Sequence, residues 1–383
     1  MEHTFLILED GMVFQGTGFG KAAPAIEDLL QAAETPTGEV VFNTSMCGYP
    51  EILTDPSYNG QLIVMTYPHI GNYGVDPIWS ENMRKSSKVP CVGFICHDYY
   101  TGFLPPDRIS LGDYMAEHGV CGLYGIDTRT LTLRLRDKGS CKGILVRTEE
   151  MTDFRKTMVM EFLSAFPSIT DRDLITDVST GKTIQDPTCE IPVPTDTAAV
   201  RFALVDFGIK KSIIQELYKR NAKVTLFPPT VTADEILASG CDSLFLSNGP
   251  GDPARLQGAV EMTRKVIGKM PVCGICLGHQ LITWALGGRT VKMKFGHHGA
   301  NQPVTETTTG KTFVTSQNHG FMSERSSLPK DVEIWFTNAN DGSIEGIRQK
   351  KLQVQSVQFH PEASPGPQDG RWIFDLFIKG AKK

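Results

Sequence analysis

"MPVCGICLGHQLITWALGG", residues 270–288, can be parsed in two ways. Cys273 and Cys276 form C-x-x-C, the spacing of a redox dithiol or of half a zinc site. Gly274, Cys276 and Gly278 form G-x-C-x-G, the spacing of a nucleophile on a sharp strand-to-helix turn. In that turn, glycines two places either side of the nucleophile let strand and helix approach without side-chain clash. The second parse also sets the local fold. "PVCGI" reads as a short apolar strand and "LGHQLITWALGG" as a helix closed by Gly287 and Gly288.

The same rhythm runs upstream. "RFALVDFG" is an apolar strand ending in Gly208, and "IKKSIIQELYKRNA" has Ile213, Ile214 and Leu217 at helical spacing. "KVTLFP", "TADEILASG", "CDSLFLSNG" and "ARLQGAVEMTRKVIGK" then alternate strand and helix. This predicts an α/β domain: a parallel or mixed sheet flanked by helices, with a nucleophile elbow. Ligands in such sheets bind beyond the carboxyl ends of the strands. Those ends carry Asp206-Phe207-Gly208, Ser247-Asn248-Gly249-Pro250-Gly251 and Cys276.

The clearest break is "DPTCEIPVPTDTAAV", residues 186–200, with three prolines and no period. It predicts an N-terminal domain over 1–190, a linker over 191–200 and a C-terminal domain over 201–383. The first half is mixed α+β, with short β-rich runs, mostly non-sequential pairing and helices near 111–118 and 129–137.

Composition narrows the class. The 383 residues favour two domains, and 40% hydrophobic with 21% charged residues describe an ordinary globular chain. A net charge of -5 without a basic block argues against nucleic acid. The start, "MEHTFLILED", reads as neither a signal peptide nor a membrane span, so a cytoplasmic location is expected. There, nine cysteines read as free thiols rather than a disulfide framework.

Two motifs fall short. "GTGFGK", Gly16 to Lys21, has three residues where a phosphate loop needs four, and Ala22 where it needs Ser or Thr. A Gly-rich turn between strands is the simpler reading. His297-His298 suggests a metal, but adjacent histidines point apart and no acidic residue sits at helical spacing. "GHHGANQPV" is therefore read as a polar loop, and no metal is assigned. For the C-x-x-C, no second pair completes a zinc site, since Cys91 and Cys96 are poorly spaced for one. A thioredoxin-like dithiol stays open at this point, with Cys273 more simply a buried strand thiol.

A cysteine nucleophile needs a base, because a free thiol with a pKa of about 8.5 is mostly protonated at neutral pH. "LQVQSVQFHPEASPGP" ends a strand-like run in His360-Pro361-Glu362, a base with a carboxylate two places on to orient it. "SNGPGDP", Ser247 to Pro253, offers unobstructed N–H groups at Gly249 and Gly251. With the Leu277 N–H at the helix start, these suit a developing oxyanion.

Together, "SNGPGDP", "GICLGHQ" and "QFHPEASPGP" resemble the class I, triad-type glutamine amidotransferases. "FNTSMCGYPEILTDPSYNGQ", "TYPHIGNYG" and "CGLYGIDTRTLTLRLRDKG" narrow the resemblance to the carbamoyl-phosphate synthase small-chain family. The resemblance implies a swivelling β/β/α-like N-terminal domain and a Cys276, His360, Glu362 triad. It implies glutamine held by Ser45, Gly249, Gly251, Leu277, Gln280, Asn318, Gly320 and Phe321. It further implies ammonia delivery to a separate large chain that uses two ATP and bicarbonate, for arginine and pyrimidine biosynthesis. No cofactor is expected on this chain, with ATP and divalent metal on the large chain of a hetero-oligomer. A stand-alone thiol amidohydrolase and a non-catalytic partner-binding subunit are the alternatives.

Overall fold

In the computed structural model, residues 2–32, 34–83 and 89–382 are described. The chain divides into two units, Met1–Arg172 and Asp173–Lys383. The division lies upstream of the proline-rich segment. Ile184–Gln185 already pairs with Lys223–Phe227 in the C-terminal sheet, and Thr180 N donates to the Asp206 carboxylate at 2.7 Å. Proline content thus marks an irregular stretch, not the place where packing changes.

In the N-terminal unit seven strands close into a barrel. Around it run His3–Leu8, Val13–Gly20, Cys121–Tyr124, Gly93–Ile95, Gln61–Met65, Thr37–Asn43 and Cys141–Thr148. The first strand pairs with the last, so much of the pairing is non-sequential. Helices Leu111–Glu117 and Thr128–Lys138 match the two expected. A further helix, Asp153–Ala165, lays Val159 and Leu163 on Phe5, Ile7 and Val146. "GTGFGK" is not a turn: most of it lies in Val13–Gly20. Its glycines answer to crowding, since a Cβ on Gly16 would lie 2.3 Å from Tyr124 O.

The C-terminal unit carries a ten-stranded mixed sheet. Lys223–Phe227, Arg201–Val205, Ser243–Leu246, Val272–Ile275 and Val354–Val357 pair in parallel, in that order. Beyond them, Ile344–Gln349, Thr312–Ser323, Thr290–Glu306 and Glu333–Asn338 run antiparallel. The parallel half follows from the alternation of apolar runs and amphipathic helices. Apolar Val205, Leu246, Val272, Leu277 and Ile282 share one core with the covering helices. "GHHGANQPV" proves to be strand, part of Thr290–Glu306. Register shifts between Lys292 and His297 and between Gly299 and Gln302 disturb the alternation that would have revealed it. Among the described residues no helix is long and apolar enough to cross a membrane.

Candidate active site

Cys276 stands between the Val272–Ile275 strand and the Leu277–Ala285 helix, with φ 55° and ψ -107°. That is a strained conformation for a non-glycine residue. Its N–H donates to Val357 O at 2.9 Å, and its carbonyl accepts from Gln280 N at 3.2 Å, so sheet and helix hold the apex from both sides. The flanking glycines are required by contact. A Cβ on Gly274 would lie 2.8 Å from Gly278 C, and one on Gly278 would lie 2.1 Å from Leu246 O. The thiol is buried, with Sγ 3.5 Å from Asn318 O.

His360 arrives from the next strand over. Its N–H donates to Ser316 O at 2.8 Å, and its Nδ1 donates to Glu362 Oε1 at 2.6 Å. Nε2 has Cys276 as its polar neighbour and no other hydrogen-bond partner among the described residues. Burial alone would strip His360 of its proton. The charges of Glu362 and Cys276 outweigh that and push its pKa well up. Burial likewise opposes the Glu362 carboxylate, but Lys210 and His360 hold it ionised. The resting site therefore contains an imidazolium braced by a carboxylate.

Lys210 was not anticipated from the sequence. Fully buried, it donates from Nζ to Glu362 Oε1 at 3.0 Å and to Ala363 O. Its backbone N–H donates to Asn248 Oδ1 at 3.0 Å, and Asn248 Nδ2 donates to Gly208 O at 2.9 Å. The available signal was position: a lysine just past the end of the Arg201–Val205 strand, at the edge where parallel sheets collect ligands.

The raised His360 pKa sets a pH dependence. The imidazolium persists below that pKa and is lost as pH rises through it. Glu362→Gln removes the neighbouring charge and leaves Lys210 unopposed, so both effects lower the His360 pKa. The alkaline limb of glutamine hydrolysis is expected to move down by roughly 1–3 pH units, read from pH profiles of wild type and variant. An unmoved limb would show that Glu362 does not set the charge of His360.

The remaining residues fall into two groups. Gly278 N donates to Ser247 O at 3.0 Å, joining the elbow to the turn that holds Gly249 and Gly251. A Cβ on Gly249 would lie 2.2 Å from Phe207 O, and Gly251 has φ 88°. Gln280 Nε2 donates to Phe321 O at 2.9 Å and to Gln358 Oε1 at 3.0 Å, fastening the helix to the strand of Asn318, Gly320 and Phe321. Asn318 Oδ1 accepts from His298 Nδ1 at 2.9 Å. All of these share the C-terminal unit with the triad. Ser45 belongs to the N-terminal unit, where its N–H donates to Asn43 Oδ1 at 2.7 Å. Cys273 lies on the strand before the elbow, where burial pushes its thiol well up, and all nine cysteines are free.

Sequence similarity places the unit that carries this elbow among the class-I glutamine amidotransferases. Residues 203–380 match the family "Glutamine amidotransferase class-I", and residues 6–145 match "Carbamoyl-phosphate synthase small chain, CPSase domain". The carbamoyl phosphate synthase small chain of Methanocaldococcus jannaschii is 44% identical over 98% of this chain and 98% of that one. That of Clostridium perfringens is 44% identical over 98% and 99%, and that of Aquifex aeolicus 42% identical over 98% of each. The chain belongs to the carbamoyl-phosphate synthase small-chain family, and it is a glutamine amidotransferase.

Proposed function

We propose that Cys276, His360 and Glu362 hydrolyse L-glutamine and that the ammonia passes to a large chain. The observation carrying this reading is the His360–Glu362 pair, 2.6 Å apart, beside a cysteine held at φ 55° on the elbow. Cys276 attacks the side-chain carboxamide carbon as a thiolate. The carbonyl oxygen takes the negative charge, held by the Leu277 N–H and the Gly249–Gly251 turn. His360 gives its proton to the departing nitrogen, the C–N bond breaks, and ammonia leaves a γ-glutamyl thioester on Cys276. Neutral His360 then takes a proton from water. The resulting hydroxide attacks the thioester, and glutamate leaves as the thiolate re-forms. Gln280, Asn318, Gly320 and Phe321 hold the substrate, and Lys210 keeps Glu362 charged as its orienting partner.

The partner is a carbamoyl-phosphate synthase large chain, which would use ATP, divalent metal and bicarbonate and serve arginine and pyrimidine biosynthesis in the cytoplasm. The small-chain names of the relatives support this hetero-oligomer. The test is glutamine hydrolysis with and without a large chain. Stimulation by the partner, with carbamoyl phosphate formed as glutamate is released, is expected. Full turnover by the isolated chain with no stimulation would favour a stand-alone hydrolase.

Ser45 is proposed as a further glutamine-binding residue, as the family resemblance implies. One hydrogen bond to a charged substrate group contributes about 1.5–3 kcal/mol, so Ser45→Ala is expected to raise KM for glutamine roughly ten- to a hundredfold. Steady-state kinetics with unchanged KM would remove Ser45 from the site.

A further inference from the structure

Behind the strand that carries Asn318, Gly320 and Phe321 lies a second buried cluster, which the glutamine chemistry does not use. His297 on Thr290–Glu306, His319 on Thr312–Ser323 and Glu345 on Ile344–Gln349 bring one ligand atom each to within 4.8 Å of one another. His297 Nδ1 is 3.5 Å and His319 Nε2 3.9 Å from Glu345 Oε1. Zinc bonds of about 2.1 Å in a tetrahedron place neighbouring ligand atoms about 3.4 Å apart, close to both spacings.

Each histidine has its outer nitrogen already committed. His297 Nε2 donates to Asp341 Oδ2 at 2.9 Å, and His319 Nδ1 donates to Phe321 O at 2.9 Å. This fixes the tautomers in the manner of metal-ligating histidines, whose second nitrogen donates to a carboxylate or carbonyl. The inner nitrogens then turn lone pairs toward Glu345. Two of the inner atoms, His297 Nδ1 and Glu345 Oε2, are buried with no hydrogen-bond partner, and Glu345 is fully buried. Gln317 Oε1, 3.1 Å from His319 Nε2, brings a further acceptor to the same point. Turning the Gln317 amide over would satisfy His319 but leave the other two atoms orphaned. Buried acceptors facing one another are costly unless a metal ion or a proton on His297 joins them.

We propose that His297, His319 and Glu345 bind a divalent transition-metal ion of the zinc type, with Gln317 Oε1 as the nearest fourth donor. The ion pins three antiparallel strands behind the glutamine-holding segment. The site has the nitrogen and oxygen ligand set of zinc and lies where sequence spacing hid it, since its ligands come from three strands.

The test uses the full chain carrying Cys276→Ser, so that the active-site thiol cannot supply the ligand. After incubation with zinc chloride and gel filtration, elemental analysis is expected to find one zinc per chain. Cobalt(II) is expected to give visible d–d bands without thiolate charge-transfer absorption. Glu345→Gln and His297→Asn should abolish this binding. Asp341→Asn, which leaves all ligands in place, should weaken it by roughly 10–100-fold. Circular dichroism checks that each variant is folded. Absence of zinc from the Cys276→Ser chain, or equal binding by a folded Glu345→Gln or His297→Asn chain, would overturn the assignment. In that event His297 is simply an imidazolium between Asp341 and Glu345.

Discussion

Cys276→Ser is expected to lower the glutamine-dependent rate by roughly 10⁴-fold or more, the scale seen when the nucleophile of a triad is removed. A serine hydroxyl in the same place is far less acidic than a thiol, and the imidazolium of His360, already carrying its proton, cannot take a second. The elbow itself tolerates the change, because serine differs from cysteine only in the terminal atom. With a large chain present, synthesis from free ammonia is expected to continue undiminished, since Cys276 acts only on glutamine. Glutamate release, measured beside ammonia-dependent carbamoyl phosphate formation, separates the two. Glutaminase activity retained in Cys276→Ser would contradict the assignment. Cys273→Ala is the contrasting case: its side chain packs on a strand, so glutaminase should persist and only stability should fall.

Gly278→Ala is expected to damage the fold more than the loss of any single methyl group would. Its Cβ would lie 2.1 Å from Leu246 O and 2.7 Å from Leu246 C. These are backbone atoms of a central parallel strand and cannot swing aside as a flexible side-chain end would. Relief requires moving the Leu277–Ala285 helix off the sheet, which breaks the Gly278 N–H bond to Ser247 O and displaces Cys276. Overpacking of a well-filled core costs about 1–3 kcal/mol, and a clash with backbone belongs at the upper end. At about 2–4 °C per kcal/mol for a domain of this size, the expected fall in Tm is roughly 6–12 °C. Glutaminase activity should be lost with it. Gly258→Ala is the control. No atom lies within 4 Å of its Cβ position, in the Gln257–Val266 helix, so alanine should leave Tm unchanged or slightly raised. Equal melting of Gly278→Ala and wild type would show that the elbow does not need its second glycine.

How far the sequence could be read follows from what kind of signal each element leaves. The parallel half of the sheet was legible because each strand is a continuous apolar run and each helix repeats at its own period. The elbow was legible for a similar reason, since its chemistry sits in five consecutive residues. The His360-Pro361-Glu362 pair was equally local, and Nδ1 does donate to Glu362. Asn318, Gly320 and Phe321 were named from resemblance alone, because their strand buries Thr315 to His319 in a row and so shows no alternating period. Lys210 was missed because a lysine in sequence is presumed solvated, and only the fold shows it buried against Glu362. The His297, His319 and Glu345 cluster escaped for a like reason. His297 and His319 are cross-strand partners, and the turn that follows the neighbouring strand brings Asp341 and Glu345 to them. The barrel of the N-terminal unit was the least legible part, because its strands are short and its neighbours lie far apart in the chain.

The central claim, that Cys276 forms a covalent intermediate with glutamine, is open to one direct measurement. Wild-type protein is mixed with isotopically labelled glutamine, quenched in acid during turnover, digested and analysed by mass spectrometry. A γ-glutamyl increment on the peptide containing Cys276, absent from a Cys276→Ser control, is the expected result. A label found on another residue, or no label while glutamate still accumulates in wild type through an unlabelled enzyme, would contradict the account.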